Sequence, residues 1–391
     1  MAAPIPFHYF IASLENPVTL QNPIHDLDLP LNRHQDSSQK ITLESSITYG
    51  EYFKAITVFL SRDRFESLIG AVKACFGYSL EETGMDEIRV FLMKHGEFYH
   101  PAKVEIYSGV ECFNFVVNVA VSKNGLEYIE AEFGNLKAME ELYPYAFIPR
   151  VFDSGGAWSG RDVWIPMFLG EWFEGFHEFH YSEKQGNEDP GLRIWDDRQG
   201  PYFLDEVGAL DIFTRASAIL TSYYDFFSSR HIAAWHHAAG DFVVCFQENI
   251  TTVKLITVRQ YIPLVRMDEP DLGSLLDAMV LFFLNLSVRM RLDRLDGVKD
   301  TFWIGEPAVM GAVKGFFSGL GNQISSKTMP EELVAGFKAY LGSFKPEDLL
   351  DWSRDMVERL FKDNPDLEII KSHLEAHVLL LHGYTAQELG R

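Results

Sequence analysis

Three consecutive stretches alternate apolar and polar residues: "EIRVFLMKHG" (87–96), "AKVEIYSG" (102–109) and "FNFVVNVAVS" (113–122). They are separated by the turn-prone "HGEFYHP" and "SGVEC". A period of two puts one face of each stretch in a core and the other outside, so the three read as strands of a small antiparallel sheet. The pattern then changes. "LEYIEAEFGNLKAMEELY" carries Tyr128, Phe133, Leu136, Met139 and Leu142 broadly on one side at helical spacing, and "IPRVFDSG" and "VWIPMFLGEWFEGF" return to strand. Any fold for this chain must accommodate strand, strand, strand, helix, strand, strand.

On either side the signals are mostly helical. Phe65, Leu68, Ile69 and Val72 predict an amphipathic helix that Asp63 caps, with Glu66 reaching back and Gly77 ending it. Residues up to about 39 are rich in Pro, Asn and Asp and show neither period, so they read as an extended arm. Beyond the exposed "YSEKQGNEDPG" and a short strand at "LRIWD", "DEVGALDIFTRASAILTSYYDFF" reads as one long helix. "DFVVCF" and "VKLITVRQY" read as a strand pair, and "SLLDAMVLFFLNLSVRMRL" as a buried helix. "TMPEELVAGFKAYL" opens with a Thr-x-x-Glu capping box, and "KPEDLLDWSRDMVERLF" repeats the Pro-Glu start. No internal repeat is found.

The 391 residues favour two or three packed units, and 47% hydrophobic with 23% charged residues is globular composition. A formal net charge of −22 disfavours nucleic acid and anionic membrane surfaces as partners. Cys75, Cys112 and Cys245 are too scattered for a paired-thiolate zinc motif and odd in number for a disulfide framework, so a reducing, cytoplasmic compartment is expected. "MAAPIPFHYFIASLENP" lacks the basic start and unbroken apolar core of a signal peptide. The run "AMVLFFLNLSV" is shorter than the roughly 20 residues a bilayer crossing needs, so no membrane association is expected.

The order of elements resembles the two-lobed protein-kinase-like fold, in its aminoglycoside and choline phosphotransferase branch. "FLGEWFEG" (168–175) is similar to the family's linker between lobes, and "YIEAEFGNLKAMEEL" followed by "IPRVF" resembles its Glu-bearing helix and the strand behind it. "AWHHAAGDFVV" (234–244) aligns without a gap on the catalytic loop, His-Gly-Asp-Leu-His-Pro-Gly-Asn followed by an apolar strand. The resemblance covers about residues 87–261. It implies an α+β architecture: an extended arm over 1–40, a small antiparallel-sheet N-lobe over 41–170 and a mainly helical C-lobe over 171–391. It also implies ATP and Mg²⁺ as cofactors.

Carried over residue by residue, the alignment puts His236 where the family has its catalytic aspartate and Asp241 at the metal-binding asparagine. By residue type alone, His236, His237 and Asp241 read as a rebuilt acid–base or metal site, or as a loop whose imidazoles bond backbone carbonyls and whose aspartate caps a turn. Thr257 falls where the second metal-bridging aspartate should be, and Asn118 where the phosphate-pairing lysine should be. Glu132 takes the helix glutamate position without that lysine. Gly96 stands in the phosphate-covering turn, and Glu171 and Trp172 in the nucleotide-binding linker. Several parts of a phosphoryl-transfer site are thus replaced. The reading that follows is a degenerate, pseudokinase-type protein binding a small ligand or a protein partner in an interlobe cleft. Two alternatives stay open: an atypical ATP- and Mg²⁺-dependent small-molecule phosphotransferase, and a metal-dependent hydrolase using a His-rich cleft.

Other clusters have plainer readings beside functional ones. His177 and His180 in "GFHEFH" are three apart, whereas zinc proteases place two histidines four apart on a helix, so cleft-lining or surface histidines are expected. "HGEFYH", with His95, Tyr99 and His100, reads as a hairpin turn over a packed aromatic, or as a loop covering a ligand. Arg259 and Gln260 read as a salt bridge to one of the many carboxylates, or as a fixed cation replacing the metal. Trp164, Trp172, Phe173 and Trp235 read as core aromatics or as a purine-stacking set. Oligomeric state and substrate are not legible.

Overall fold

The alternation between residues 87 and 120 is realised as a sheet with one buried face. In the computed structural model, which describes residues 5–12, 18–19, 22–30, 47–184, 186, 189–196, 198–237, 240–248 and 250–391, the chain divides into two compact units. The first comprises residues 1–138 and 149–174, the second 139–148 and 175–391.

The first unit is built on a six-stranded sheet in the order β1-β2-β3-β4-β6-β5: β1 (Phe7–Ile11), β2 (Glu87–Leu92), β3 (Tyr99–Ser108), β4 (Glu111–Ala120), β5 (Val151–Trp158) and β6 (Trp164–Glu171). Register pairs Ile88 with Ile106, Val90 with Val104 and Leu92 with Ala102, then Ala102 with Val117 and Val104 with Phe115. All are buried, under helices α1 (Tyr49–Leu60) and α2 (Glu66–Phe76), which contribute Phe53, Ile56, Phe59, Leu68 and Val72 to the same core. Each such side chain taken fully out of water stabilises the fold by about 1.5–3 kcal/mol. The other parity is polar: Lys103 meets Glu105 at 2.9 Å and Arg89 lies over the Tyr107 ring at 4.4 Å. The helix between β4 and β5 is α3 (Lys123–Leu142).

Three expectations are corrected here. The sheet has six strands, because Phe7–Ile11, expected in an extended arm, pairs in parallel with β2. Much of the remaining arm, including 31–46, lies outside the described residues. Asp63 does not cap α2. Asp63, Arg64 and Phe65 all take left-handed backbone (φ 48°, 60° and 65°), and no side-chain cap is made at Phe65. Left-handed backbone costs roughly 1–2 kcal/mol per non-glycine residue. It coincides with burial of Phe65 and with Arg62 held by Asp153 at 2.8 Å. The capping box belongs instead to α1, where Thr48 and Glu51 bond each other's backbone N–H at 3.1 and 2.9 Å.

The second unit carries more strand than expected. A five-stranded sheet runs β12-β11-β7-β8-β9, from β7 (His177–Ser182), β8 (Gly191–Ile194), β9 (Tyr202–Phe203), β11 (Phe242–Gln247) and β12 (Ile250–Leu255). Two short antiparallel pairs accompany it, β10 (Arg230–Ile232) with β13 (Tyr261–Pro263) and β14 (Leu292–Arg294) with β15 (Thr301–Trp303). The helices are α4 (Glu206–Ser222), α5 (Leu272–Arg289), α6 (Glu306–Ser326), α7 (Glu331–Leu341), α8 (Pro346–Leu360) and α9 (Leu367–Glu388). The α+β class thus holds for the chain as described. α4 stops at Ser222, short of the Phe227 that its apolar run suggested. α7 starts after Pro330 without a side-chain cap, because the Thr328 hydroxyl is turned back to the Gln323 carbonyl. α5 is apolar and long enough to cross a membrane by length and composition, and 61% of that stretch is buried inside the protein.

α4 and α6 pack backbone to backbone. A Cβ on Gly311, Gly315 or Gly319, spaced four apart on α6, would meet Phe213 Cβ at 2.5 Å, the Thr214 carbonyl oxygen at 2.1 Å and Thr221 Cβ at 2.5 Å respectively. Gly315→Val should therefore force the two helices apart and destabilise the protein by about 1–3 kcal/mol, the usual cost of overpacking. Gly321→Ala, where a Cβ meets nothing within 4 Å, should not. Equal melting temperatures for the two variants would refute the close packing.

Candidate functional site

The two histidine motifs are brought together in the second unit. β7, from "GFHEFH", is the hydrogen-bonded neighbour of β11, from "AWHHAAGDFVV", with Val243 facing Glu178 and Val244 facing His177. The turn into β11 depends on Gly240, at φ 68°, where a Cβ would lie 2.7 Å from the Glu178 carboxyl carbon.

At the start of β11 sits a buried ion pair. Arg259 closes on Asp241 with both arms of its guanidinium, Nη2 to Oδ1 at 2.6 Å and Nη1 to Oδ2 at 3.0 Å. The same Oδ2 accepts the His236 backbone N–H at 2.9 Å, and Arg259 Nη1 also reaches the Ala234 carbonyl at 3.2 Å. Asp241 and Arg259 are 2% and 8% exposed. Bidentate guanidinium–carboxylate pairing is among the strongest polar contacts a protein makes, and it uses the oxygen lone pairs that a divalent ion would need. Arg259 was read from sequence as a salt bridge or as a fixed cation in the metal's place; it is held against the carboxylate expected to bind that metal.

His236 and His237 are buried beside this pair. Burial pushes the His236 imidazole down to about 4, with Asp241 and Asp366 pulling up and Arg294 and Arg289 pushing further down. His237 sits among the rings of Phe179, Phe213, Trp235 and Phe242, with centroids 5.5–6.0 Å away. Burial first, then the neighbouring His236 and His180, lowers it to about 3, while the Met290 backbone pulls the other way. An imidazole in an aromatic cage is poorly placed to share a cation with a carboxylate committed to arginine. Among the described residues no group of three or more His, Cys, Asp or Glu side chains could hold a metal ion.

One member of the cluster was missed in the sequence. Asp293, on β14, is 1% exposed; burial raises its carboxyl to about 6, against the charge of His180 and the N–H groups of Tyr181 and Arg294. Those N–H groups donate to it at 2.8 Å each. An aspartate directly after the buried "VRMRL" was the available signal. Thr257, expected to replace a metal-bridging aspartate, is buried. His180 and Glu178 approach at 3.7 Å, and His177 approaches Asp196 at 3.7 Å, so the "GFHEFH" histidines have separate acidic partners.

The remaining candidates lie in the first unit. Glu132 is buried on α3 and accepts the Tyr99 hydroxyl at 2.6 Å. Asn118 sits on β4, opposite Pro101 and Phe168. Gly96 is required by a tight turn, since a Cβ there would lie 2.4 Å from the Tyr99 carbonyl oxygen. Glu171 is held by Arg150 at 3.2 Å, and the Trp172 indole donates to Glu174 at 3.1 Å. His95 and His100 meet edge to face at 4.9 Å and bond Tyr49 and the Pro30 carbonyl, so "HGEFYH" is a packed turn. Trp164 is exposed beside Trp158, whereas Trp235 is buried on His237 and Phe242.

No protein-family model matches the sequence, and no curated protein matches it.

Two outcomes follow. Arg259→Met leaves Asp241 buried without its cation and should cost about 3–5 kcal/mol in urea unfolding, while Arg259→Met with Asp241→Leu should recover most of that. A double variant as unstable as the single one would contradict the pairing. The second outcome concerns acid. His236 and His237 hold folded values of about 4 and 3 against an ordinary 6.5. As pH falls from 6.5 toward about 4 the unfolded chain takes up protons that the folded one refuses, and stability falls. Asp293 acts oppositely: its folded value of about 6 exceeds the ordinary 3.8, so its contribution is lost as pH rises through that window. His100, His231 and His377, all lowered, add to the histidine slope. His237→Leu should flatten the stability profile between pH 6.5 and 4 by up to about 1.4 kcal/mol per pH unit. An unchanged slope would show that His237 does not resist protonation.

Proposed function

We propose that this chain is a kinase-like protein that no longer transfers phosphate and acts by binding a small ligand or a protein partner. The observation that carries this reading is the Arg259 fork on Asp241. At the place where the resemblance calls for a metal-holding side chain, the carboxylate already has an internal cation. The donor set therefore does not fit Mg²⁺.

Two further facts favour the same reading. His236, at the position of the base that orients an attacking hydroxyl, is buried with its imidazole lowered to about 4, a weak base near neutral pH. Glu132, at the position of the glutamate that steadies a phosphate-pairing lysine, is bonded to a tyrosine. An active phosphotransferase would need Asp241 to exchange its guanidinium for a metal ion, at the cost of breaking a buried pair. A hydrolase would need converging ligands where the described residues offer none.

The test is a thermal-shift titration of the metal-stripped protein with ATP and Mg²⁺ together, with each alone, and with Zn²⁺ and Mn²⁺. A ligand that binds only the folded state raises the melting temperature by mass action. The expected result is no shift that requires ATP and Mg²⁺ jointly and no γ-phosphate transfer to small alcohols or amines. A joint shift accompanied by transfer would overturn the reading; a shift with Zn²⁺ alone would favour the hydrolase.

A further inference from the structure

The β7–β8 ladder presents a polar face whose donors and acceptors are left unused. Register places His180 opposite Arg193 and Ser182 opposite Gly191, so these positions share one face of the sheet. Trp195 joins them two residues along β8, and Phe203 on β9 stands opposite Arg193. Contacts agree with this parity: the Arg193 guanidinium lies 4.4 Å over Trp195 and 5.8 Å from the Phe203 centroid, and His180 is 6.5 Å from Trp195.

Two buried polar atoms on this face lack a hydrogen-bond partner, Nδ1 of His180 and Nε of Arg193; the Ser182 hydroxyl lies beside the Asp296 carboxylate and helps to lower it. His180 and Ser182 are 4% and 0% exposed. Buried polar atoms are nearly always satisfied, so two orphans on adjacent strands call for a missing partner.

Charge points to what that partner is. Lys184 also lies over the Phe203 ring, at 5.8 Å, so two cations flank one aromatic face. Gly191 makes room for this: a Cβ there would lie 2.6 Å from Lys184 Cε and 3.1 Å from Phe203. Neither cation has a salt-bridge partner among the described residues. The carboxylates nearby are engaged elsewhere, Asp296 with Lys299 at 2.8 Å, Glu183 with the same lysine at 2.9 Å, and Glu178 toward His180 at 3.7 Å. Asp296 is near enough to sense Arg193 but does not pair with it. Two unpaired cations with free N–H donors, a buried hydroxyl and aromatic walls are the complement of an oxyanion.

We propose that the Arg193, Lys184 and Ser182 face of β7 and β8 is a binding site for an oxyanion, the carboxylate or phosphate group of a small ligand. The rings of Trp195 and Phe203 are the surfaces against which the rest of such a ligand packs. This inference is independent of whether the chain transfers phosphate.

The test is isothermal titration calorimetry of the full chain with sodium phosphate and, separately, sodium acetate, at an ionic strength held constant with sodium chloride. Saturable binding of either anion is expected, and phosphate without acetate identifies the group as phosphate. Arg193→Met should weaken binding at least about tenfold, the loss of one charge-assisted hydrogen bond. Lys184→Gln should weaken it as well, and it decides the matter if Arg193→Met does not fold. Absence of saturable binding by both anions, or affinities unchanged in the folded variants, overturns the site.

Discussion

The pairing of Asp241 with Arg259 is the constraint on which the centre of the second unit depends. A carboxylate and a guanidinium both removed from water hold their place only if each satisfies the other and their spare donors and acceptors are met as well. Here they are. The second arm of the guanidinium reaches the Ala234 carbonyl, and the carboxylate takes the His236 N–H, so one ion pair ties 234–236, 241 and 259 together. The Asp241 carbonyl accepts from Ile256, and Phe242 then opens the β11–β12 ladder opposite Leu255. The strand pair is clipped shut at the end where the resemblance would place a metal. β7 pairs with β11 from the other side, so the position of "GFHEFH" follows from the same clip.

Once that pair is fixed, the protonation states around it follow. A buried cation and a buried anion already cancel, and every further charge would be uncompensated, so the neighbouring groups are shifted toward their neutral forms. His236 and His237 are pushed down and Asp293 is pushed up, in each case chiefly by burial. These are opposite shifts with one cause, loss of water around a group that would otherwise ionise. The first unit solves its interior differently, with apolar faces of β2, β3 and β4 meeting α1 and α2. Its buried Glu132 is bonded to the Tyr99 hydroxyl.

What was legible in the sequence was what depends on periodicity. β2, β3 and β4 were read from a period of two, and α3, β5 and β6 from the changes of period around them. Signals that depend on one residue's alternatives failed. Asp63 looks like a cap, yet the chain there turns left-handed and Phe65 enters the core. Thr328 looks like a cap, yet its hydroxyl serves the preceding helix. The capping box at Thr48 and Glu51 was present and unread. The glycines of α6 carry a spacing of four that reports close helix contact, visible only if glycine is treated as a packing residue. The histidine cluster was half legible: its members stood out, but the partnership of Arg259 with Asp241 joins residues 18 apart whose union no local period encodes. Asp293 had only the weaker signal of its place directly after "VRMRL".

An acid-rich chain makes unpaired cations informative. With 56 acidic residues against 34 basic ones, carboxylates outnumber the cations that could pair with them. Most arginines placed in the structure are so paired: Arg62 meets Asp153, Arg150 meets Glu171 and Arg259 meets Asp241. Arg193 and Lys184 do not, although Asp296 and Glu183 are close by and both spend their charge on Lys299. Stacking on Trp195 and Phe203 holds the guanidinium in place while leaving its N–H edge unspent, since a π face competes for the flat of the ion and not for its donors. The chain thus closes one polar centre with an internal cation and keeps two cations open on a neighbouring strand face. Self-neutralisation at the first and its absence at the second are consistent with oxyanion binding at β7–β8.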